Sequence, residues 1–353
     1  MKIAVTADLH LSSRKKNPER FHALEAILQI MLLEKIHHLA ILGDVFDADQ
    51  KSYSEFEKLC RDTKFKEIQF LLLPGNHDPE LTQRGMTAEN VQVFEQPEIF
   101  NVDILGLPIL FLPYINGKNM GEAIAPFMPE LEPQSWILFG HGDWIQGMRE
   151  INPYESGVYM PLTRMDVERT QPKTVILGHI HKPTDESILH YPGSPCPLHI
   201  NETGKRWFLI LDADTGAVTP HPLDSDILYF QVNLTILPLD DEKTYLVKQI
   251  QSVLKEWNLS EEEKKKSQIR IQVKGYTKDK SALLEIVEQG FSGFQFYGDK
   301  PDLEEVSLSN DIELAEIAQQ VTEVVKTQTL LNEPNQPQKD QVLLEALKTI
   351  YGD

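Results

Sequence analysis

The strongest constraint in this sequence is a pattern repeated through its first 223 residues: a short apolar run of Ile, Leu, Val and Phe, ended at once by polar residues and often by glycine. The runs occupy residues 2–7, 39–42, 68–73, 104–114, 136–139, 174–177, 187–191 and 207–211. Apolar runs with little alternation mark strands buried on both faces, which form only where other layers cover each side of a sheet. Helices supply part of that cover. Residues 20–34 carry Phe21, Leu24, Ile27, Leu28 and Met31 at three- and four-residue steps, and a second helix is expected over 53–63. Early β-α-β alternation followed by hairpin-like strands predicts an α/β fold, a layered α/β sandwich with mixed sheets.

Beyond residue 223 the pattern changes. Residues 227–237 alternate in strand fashion, followed by a helix at 241–257, a strand at 268–274, a helix at 279–288 and a strand at 294–297. This reads as a small α+β domain. Helical spacing then resumes at Leu314, Ile317, Val321 and Val324, breaks at the turn-rich 332–338, and returns with Leu343, Leu347 and Ile350. Three segments are therefore expected: a domain at 1–223, a second at 224–306 and C-terminal helices at 307–353. The charge run at 261–266 reads as a solvated loop or helix end.

The chemistry lies in the polar clusters that end the runs. They are Asp8 with His10, Asp44 after Gly43, Asn76-His77-Asp78 after Gly75, His141 after Gly140, and His179 with His181 after Gly178. With the strands side by side, all five emerge at one edge, where loops converge on one pocket. Carboxylates, imidazoles and an amide oxygen form the mixed N/O set that suits manganese, iron or zinc, and no thiolate is present to favour structural zinc. There are too many ligands for one ion. With Asp44 bridging, they divide into two sites, the arrangement of two-metal hydrolases, in which paired cations lower the pKa of a shared water and neutralise phosphoryl charge. The implied reaction is phosphoester hydrolysis.

Composition bears on compartment and partner. Neither the apolar run of a membrane span nor that of a signal peptide is evident, and Cys60 and Cys196 are far too few for a disulfide framework, so a cytoplasmic protein is expected. The formal charge of −20 taken alone argues against nucleic acid. Against this, Arg14, Lys15, Lys16 and Arg20 cluster just after the first ligand pair and Arg84 follows the third cluster. If that loop borders the pocket it can hold a phosphate backbone; otherwise it is a solvated loop.

In their order, the D-x-H, GD, GNHD, GH and GHxH motifs resemble those of calcineurin-like metallophosphoesterases. Gly43-Asp44-Val45-Phe46-Asp47, and Tyr191-Pro192-Gly193-Ser194-Pro195 after the GHIH motif, most resemble the SbcD-type DNA repair nucleases. The resemblance implies a first metal on Asp8, His10, Asp44 and His181 and a second on Asp44, Asn76, His141 and His179. It casts His77 as the group that protonates the leaving oxygen, with Asp78 orienting its ring. It further implies two divalent ions, typically Mn2+, a DNA substrate, a cap domain at 224–306, a possible homodimer, and an SbcC-type ATPase partner docked on a C-terminal helical arm at 310–351.

Two other readings are carried beside this one. The chain could be a phosphoesterase for a small molecule, nucleotide or phosphoprotein, or a DNA-repair scaffold subunit that binds without cutting. His22, His37, His38, His190, His199 and His221 read as surface or packing residues, and Asp47 and Asp143 either as outer partners of the ligands or as loop solvation.

Overall fold

The computed structural model describes residues 1–47, 53–101, 106–145, 157–239, 241–309, 311–328 and 339–352. The expected break at 332–338, the start of the 104–114 run and the first residue of the C-terminal arm lie outside these. The chain forms two compact units, Met1–Leu198 with Lys205–Asp226, and His199–Gly204 with Ile227–Asp353.

In the first unit the strands are β1 (Lys2–Thr6), β2 (His38–Leu42), β3 (Gln69–Leu73), β4 (Val91–Val93), β5 (Glu98–Phe100), β6 (Ile109–Leu112), β7 (Ile137–His141), β8 (Trp144–Ile145), β9 (Leu162–Thr163), β10 (Thr174–Gly178), β11 (Thr184–Glu186), β12 (Leu189–Tyr191), β13 (Arg206–Asp212) and β14 (Ala217–Leu223). Its α-helices are α1 (Pro18–Glu34), α2 (Tyr53–Cys60), α3 (Met120–Ile124) and α4 (Arg164–Thr170). One six-stranded sheet runs β14-β13-β1-β2-β3-β4 and the other β11-β12-β10-β7-β6-β5. Strands β1 to β4 are mutually parallel, as are β6, β7, β10 and β12, while β13, β14, β5 and β11 join antiparallel at the margins. The expected mixed sheets are present.

Side-chain alternation explains the layering. Ile3, Val5 and Ala7 point to a core shared with Ile109, Phe111, Ile137 and Phe139 of the second sheet, whereas Ala4 points to Leu24, Ile27 and Met31 of α1. Phe94 and Phe111 stack at 3.8 Å in that shared core. The outer face of the second sheet packs Leu138, Val175 and Leu177 on Met120 and Ile124 of α3.

Local departures from the sequence reading have simple causes. Helix α1 begins at Pro18 rather than residue 20, because proline's fixed φ suits a first turn whose N–H needs no partner. Only Leu189–Tyr191 of the run 187–191 is strand, because Ser187 (φ 50°) lies in the turn that joins β11 and β12 as a hairpin. Strand β14 was hidden by Pro220 and Pro222, which a sheet tolerates here because β14 is an edge.

The second unit contains β15 (Leu228–Ile236), β16 (Ser267–Thr277), β17 (Gln295–Phe296) and β18 (Val306–Leu308), all in parallel pairs, with α5 (Glu242–Trp257), α6 (Glu261–Lys265), α7 (Lys280–Gly290), α8 (Ile312–Thr327) and α9 (Lys339–Tyr351). Phe230, Leu234, Ile269 and Ile271 pack with Leu246 and Ile250 of α5 and with Leu283 and Val287 of α7. A smaller cluster joins Leu237 and Tyr276 to Ala318, Leu343 and Leu347 of the last two helices. The charge run forms α6, capped by reciprocal Ser260 and Glu263 bonds. Among the described residues no helix is long and apolar enough to cross a membrane.

Candidate metal centre

Parallel strands bring every loop start to one end. Asp8 and His10 follow β1, Asp44 follows β2, Asn76 to Asp78 follow β3, His141 closes β7, and His179 and His181 follow β10. Functional groups gather at the carboxyl ends of such strands because the loops there are free to turn inward. Four of these residues take left-handed backbone, Asp8 (φ 54°), His10 (φ 44°), Asp44 (φ 50°) and His179 (φ 98°). Left-handed non-glycine residues cost about 1–3 kcal/mol each and persist where surrounding structure over-determines them. Main-chain bonds do so here: Asp8 N–H donates to Gly43 O (3.1 Å), His10 N–H to Asp44 O (2.9 Å) and Leu11 N–H to Val45 O (2.9 Å).

Two groups of ligand atoms result, Asp8 with His10 and His181, and Asp44 with His141 and His179, each set lying within 4.8 Å of one another. His10 Nε2 and His181 Nε2 are 3.1 Å apart. Asp44 joins the groups, since its Oδ2 lies 3.7 Å from His10 Nε2 and 3.5 Å from His141 Nε2. Its other oxygen accepts His77 N–H at 2.9 Å. Asp8 is held by His179 N–H, at 2.9 Å to Oδ1. Asn76 Oδ1 meets His141 Nε2 at 2.8 Å and His179 Nδ1 at 3.1 Å.

The donor set fits divalent cations. His141 Nδ1–H donates to Leu42 O at 2.8 Å, so the neutral ring points the Nε2 lone pair at two oxygens, Asn76 Oδ1 and Asp44 Oδ2. Lone pairs facing at these distances require a shared cation or proton. In the metal-free protein a proton serves: against burial, the Asp44 carboxylate raises His141 to about 9. Burial raises Asp8 to about 6 and holds His10 well below the ordinary histidine range, keeping it neutral and ready to coordinate. Asp44 is lowered by the His141 charge, which outweighs its burial.

Glycines make the approach possible. A Cβ on Gly43 (φ 84°) would lie 2.0 Å from His141 Nδ1, and one on Gly178 would lie 1.9 Å from Leu42 O.

The remaining candidates divide. His77 is half-buried and stands edge-on to His10 with ring centroids 4.9 Å apart. Asp78, expected to orient the His77 ring, accepts instead from the main-chain N–H of Gly75 (2.7 Å) and Phe46 (3.1 Å), and so fastens the third loop to the second. Burial and the nearby Asp44 raise its carboxyl to about 6. Lys15, Lys16 and Arg84 are exposed. Arg14 is paired with Glu25 and lies over the Phe21 ring with its side chain partly exposed, whereas Arg20 turns inward to Asp47 (3.0 Å) and the His10 carbonyl.

Arg206 and Tyr159 were not singled out in the sequence, whereas Ser194 belongs to the 191–195 motif and Asp143 was an open candidate. Arg206 and Ser194 N–H both donate to His181 O, at 3.0 and 3.1 Å, which seats the Tyr191-Pro192-Gly193-Ser194-Pro195 segment against the GHIH loop. Tyr159 packs 4.9 Å from the His179 ring. Buried Asp143, one of two open candidates, lies 3.7 Å from His179 Nε2 and accepts Tyr159 N–H at 2.8 Å. Nothing in composition or spacing marks Arg206 or Tyr159; only position after a ligand motif hinted at Asp143.

Residues 1–183 match the family described as calcineurin-like phosphoesterase. No curated protein matches the chain. Among solved structures the chain is similar to a novel archaeal phosphodiesterase (15% identity, covering 63% of this chain and 100% of that one, TM-score 0.35). It is also similar to TT1561 of Thermus thermophilus (14%, 63% and 98%, TM-score 0.36) and to a dimetal phosphatase from Danio rerio (11%, 63% and 96%, TM-score 0.38).

Proposed function

The chain belongs to the calcineurin-like phosphoesterase family and carries its layered α/β fold with a dimetal site of Asp and His residues; from that premise we propose that it is a phosphodiesterase of the SbcD type, cutting DNA ends. The observation that carries the two-ion reading is Asp44, whose Oδ2 lies 3.7 Å from His10 Nε2 and 3.5 Å from His141 Nε2, so one carboxylate could serve both ions; the DNA substrate rests on the resemblance of the motifs. Asp8, His10, Asp44 and His181 would hold one ion, and Asp44, Asn76, His141 and His179 the other, with manganese the proposed metal. Two such ions, when bound, lower the pKa of coordinated water and offset charge on phosphoryl oxygens.

The chain's own residues supply the rest. His77, edge-on to His10 and anchored to Asp44 through its main chain, would hand a proton to the leaving oxygen. Asp78 keeps the loop that carries it in register. Lys15, Lys16 and Arg84 offer exposed charge for backbone phosphates that carry no sequence information. The proposed partner is an SbcC-type ATPase on the C-terminal helices.

The test is cleavage of an end-labelled duplex with Mn2+, with and without a chelator. Chelator-sensitive shortening of the duplex is expected. Hydrolysis of a chromogenic phosphodiester with no action on DNA would point to a small-molecule substrate, and hydrolysis of neither to a binding subunit.

A further inference from the structure

The two halves of the centre are held in different ways. In the second half the support reaches the rings themselves: Leu42 O holds His141 Nδ1, and Asp143 lies 3.7 Å from His179 Nε2. In the first half two arginines grip the main chain. Arg20, from α1, donates through Nη1 to the His10 carbonyl and to Asp47. Arg206, the first residue of β13, donates through Nη1 to the His181 carbonyl at 3.0 Å. Arg206 is only 1% exposed. Burying a guanidinium costs several kcal/mol, so such a residue persists where its donors are used.

The grip matters because His10 stands at φ 44°, a conformation L-residues avoid. Its N–H is fixed to Asp44 O and the N–H of Leu11 to Val45 O, and Arg20 fixes the intervening carbonyl. The direction of the Cα–Cβ bond is then determined, and with it the region the ring can reach. His181 is fixed likewise, its carbonyl taking both Arg206 and Ser194 N–H.

We infer that Arg20 and Arg206 are positioning residues for one metal ion only, that held by Asp8, His10 and His181, and set its affinity independently of the ion at His141 and His179. This rests on the dimetal reading above. Groups that orient ligands from outside are worth about 10- to 100-fold in metal affinity.

The experiment is calorimetric titration of the metal-stripped full chain with Mn2+, together with electron paramagnetic resonance at two equivalents. The parent takes up two ions and gives an exchange-coupled signal. Arg20→Gln and Arg206→Gln each weaken one binding step about 10- to 100-fold, leave the other unchanged, and convert the coupled signal to that of an isolated ion. Arg20→Lys, which keeps a charged donor, regains part of the loss. If Arg206→Gln does not fold, Arg20→Gln carries the test alone. Two unaltered steps in the variants, or equal weakening of both, overturn the inference while the dimetal reading stands; fewer than two ions in the parent overturns both.

Discussion

Gly178→Ala probes the junction where the two sheets meet at the centre. The φ of Gly178 lies outside the left-handed region, so alanine incurs no backbone penalty and its effect is purely steric. The added Cβ would lie 1.9 Å from Leu42 O, and reaching ordinary contact at 3.4 Å requires Leu42 and Gly178 to part by 1.5 Å. Leu42 O is also the acceptor that holds His141 Nδ1 at 2.8 Å, so this parting breaks the bond that aims the ring. Overpacking costs about 1–3 kcal/mol, and stranding a buried donor about 1–3 kcal/mol more. A loss of roughly 3 kcal/mol lowers the melting temperature of a unit this size by about 6–12 °C. Mn2+ affinity falls about 10- to 100-fold as the ring loses its support. Thermal melts of metal-free protein and Mn2+ titration measure both effects. Gly85→Ala, whose nearest neighbour is Thr82 Oγ1 at 3.9 Å, is the control and should stay within about 0.5 kcal/mol of the parent. Unchanged melting and unchanged Mn2+ affinity in Gly178→Ala would refute the account of how His141 is held.

Three further outcomes are expected. Asp44→Ala loses both ions in a Mn2+ titration while His77→Ala keeps both and loses turnover; equal metal loss in the two variants contradicts the roles given to them. Metal-free protein loses stability as pH rises from about 7 to 9. His141, raised to about 9, favours the folded state below its unfolded value and forfeits that contribution as pH passes through its folded one, whereas below about 7 the losses at Asp8 and Asp78, raised to about 6, are opposed by His10, whose lowered value favours the folded state as pH rises. Excess Mn2+ should flatten or reverse this trend, because it binds the deprotonated ligands, and a melting temperature that rises over the same range without metal would contradict it. Tyr245→Phe removes a buried hydroxyl that has no hydrogen-bond partner among the described residues, so urea unfolding should show no loss, and a gain of up to about 1–3 kcal/mol.

The legible parts of this protein share a physical cause. Strands such as β1 and β2 are buried on both faces, so their apolar runs announce them, and the polar residues that end those runs had no apolar role to play. Strand β14 was illegible because its prolines argue against a strand everywhere except at an edge, and edge position depends on the whole sheet order. Charge was illegible for a similar reason. Arg20 and Lys16 read alike along the chain, yet Arg20, in the first turn of α1, turns inward to a carbonyl, while Lys16, in the turn before the helix, faces solvent. Asp78 was placed correctly beside His77 but bonds to main-chain amides, since a buried carboxylate takes the nearest donors.

The left-handed backbone at Asp8, His10, Asp44 and His179 bears on how this protein could be engineered or could drift. Glycine would relieve the strain at each of these positions, and at His10 and His179 should raise the thermal tolerance of a metal-free variant, whereas at Asp8 and Asp44 it would also strand the N–H groups of His179 and His77. Selection for heat resistance alone would therefore be drawn to the very sites that chemistry cannot spare. A library screened by melting temperature should enrich inactive proteins, and one screened for turnover should leave these four positions untouched.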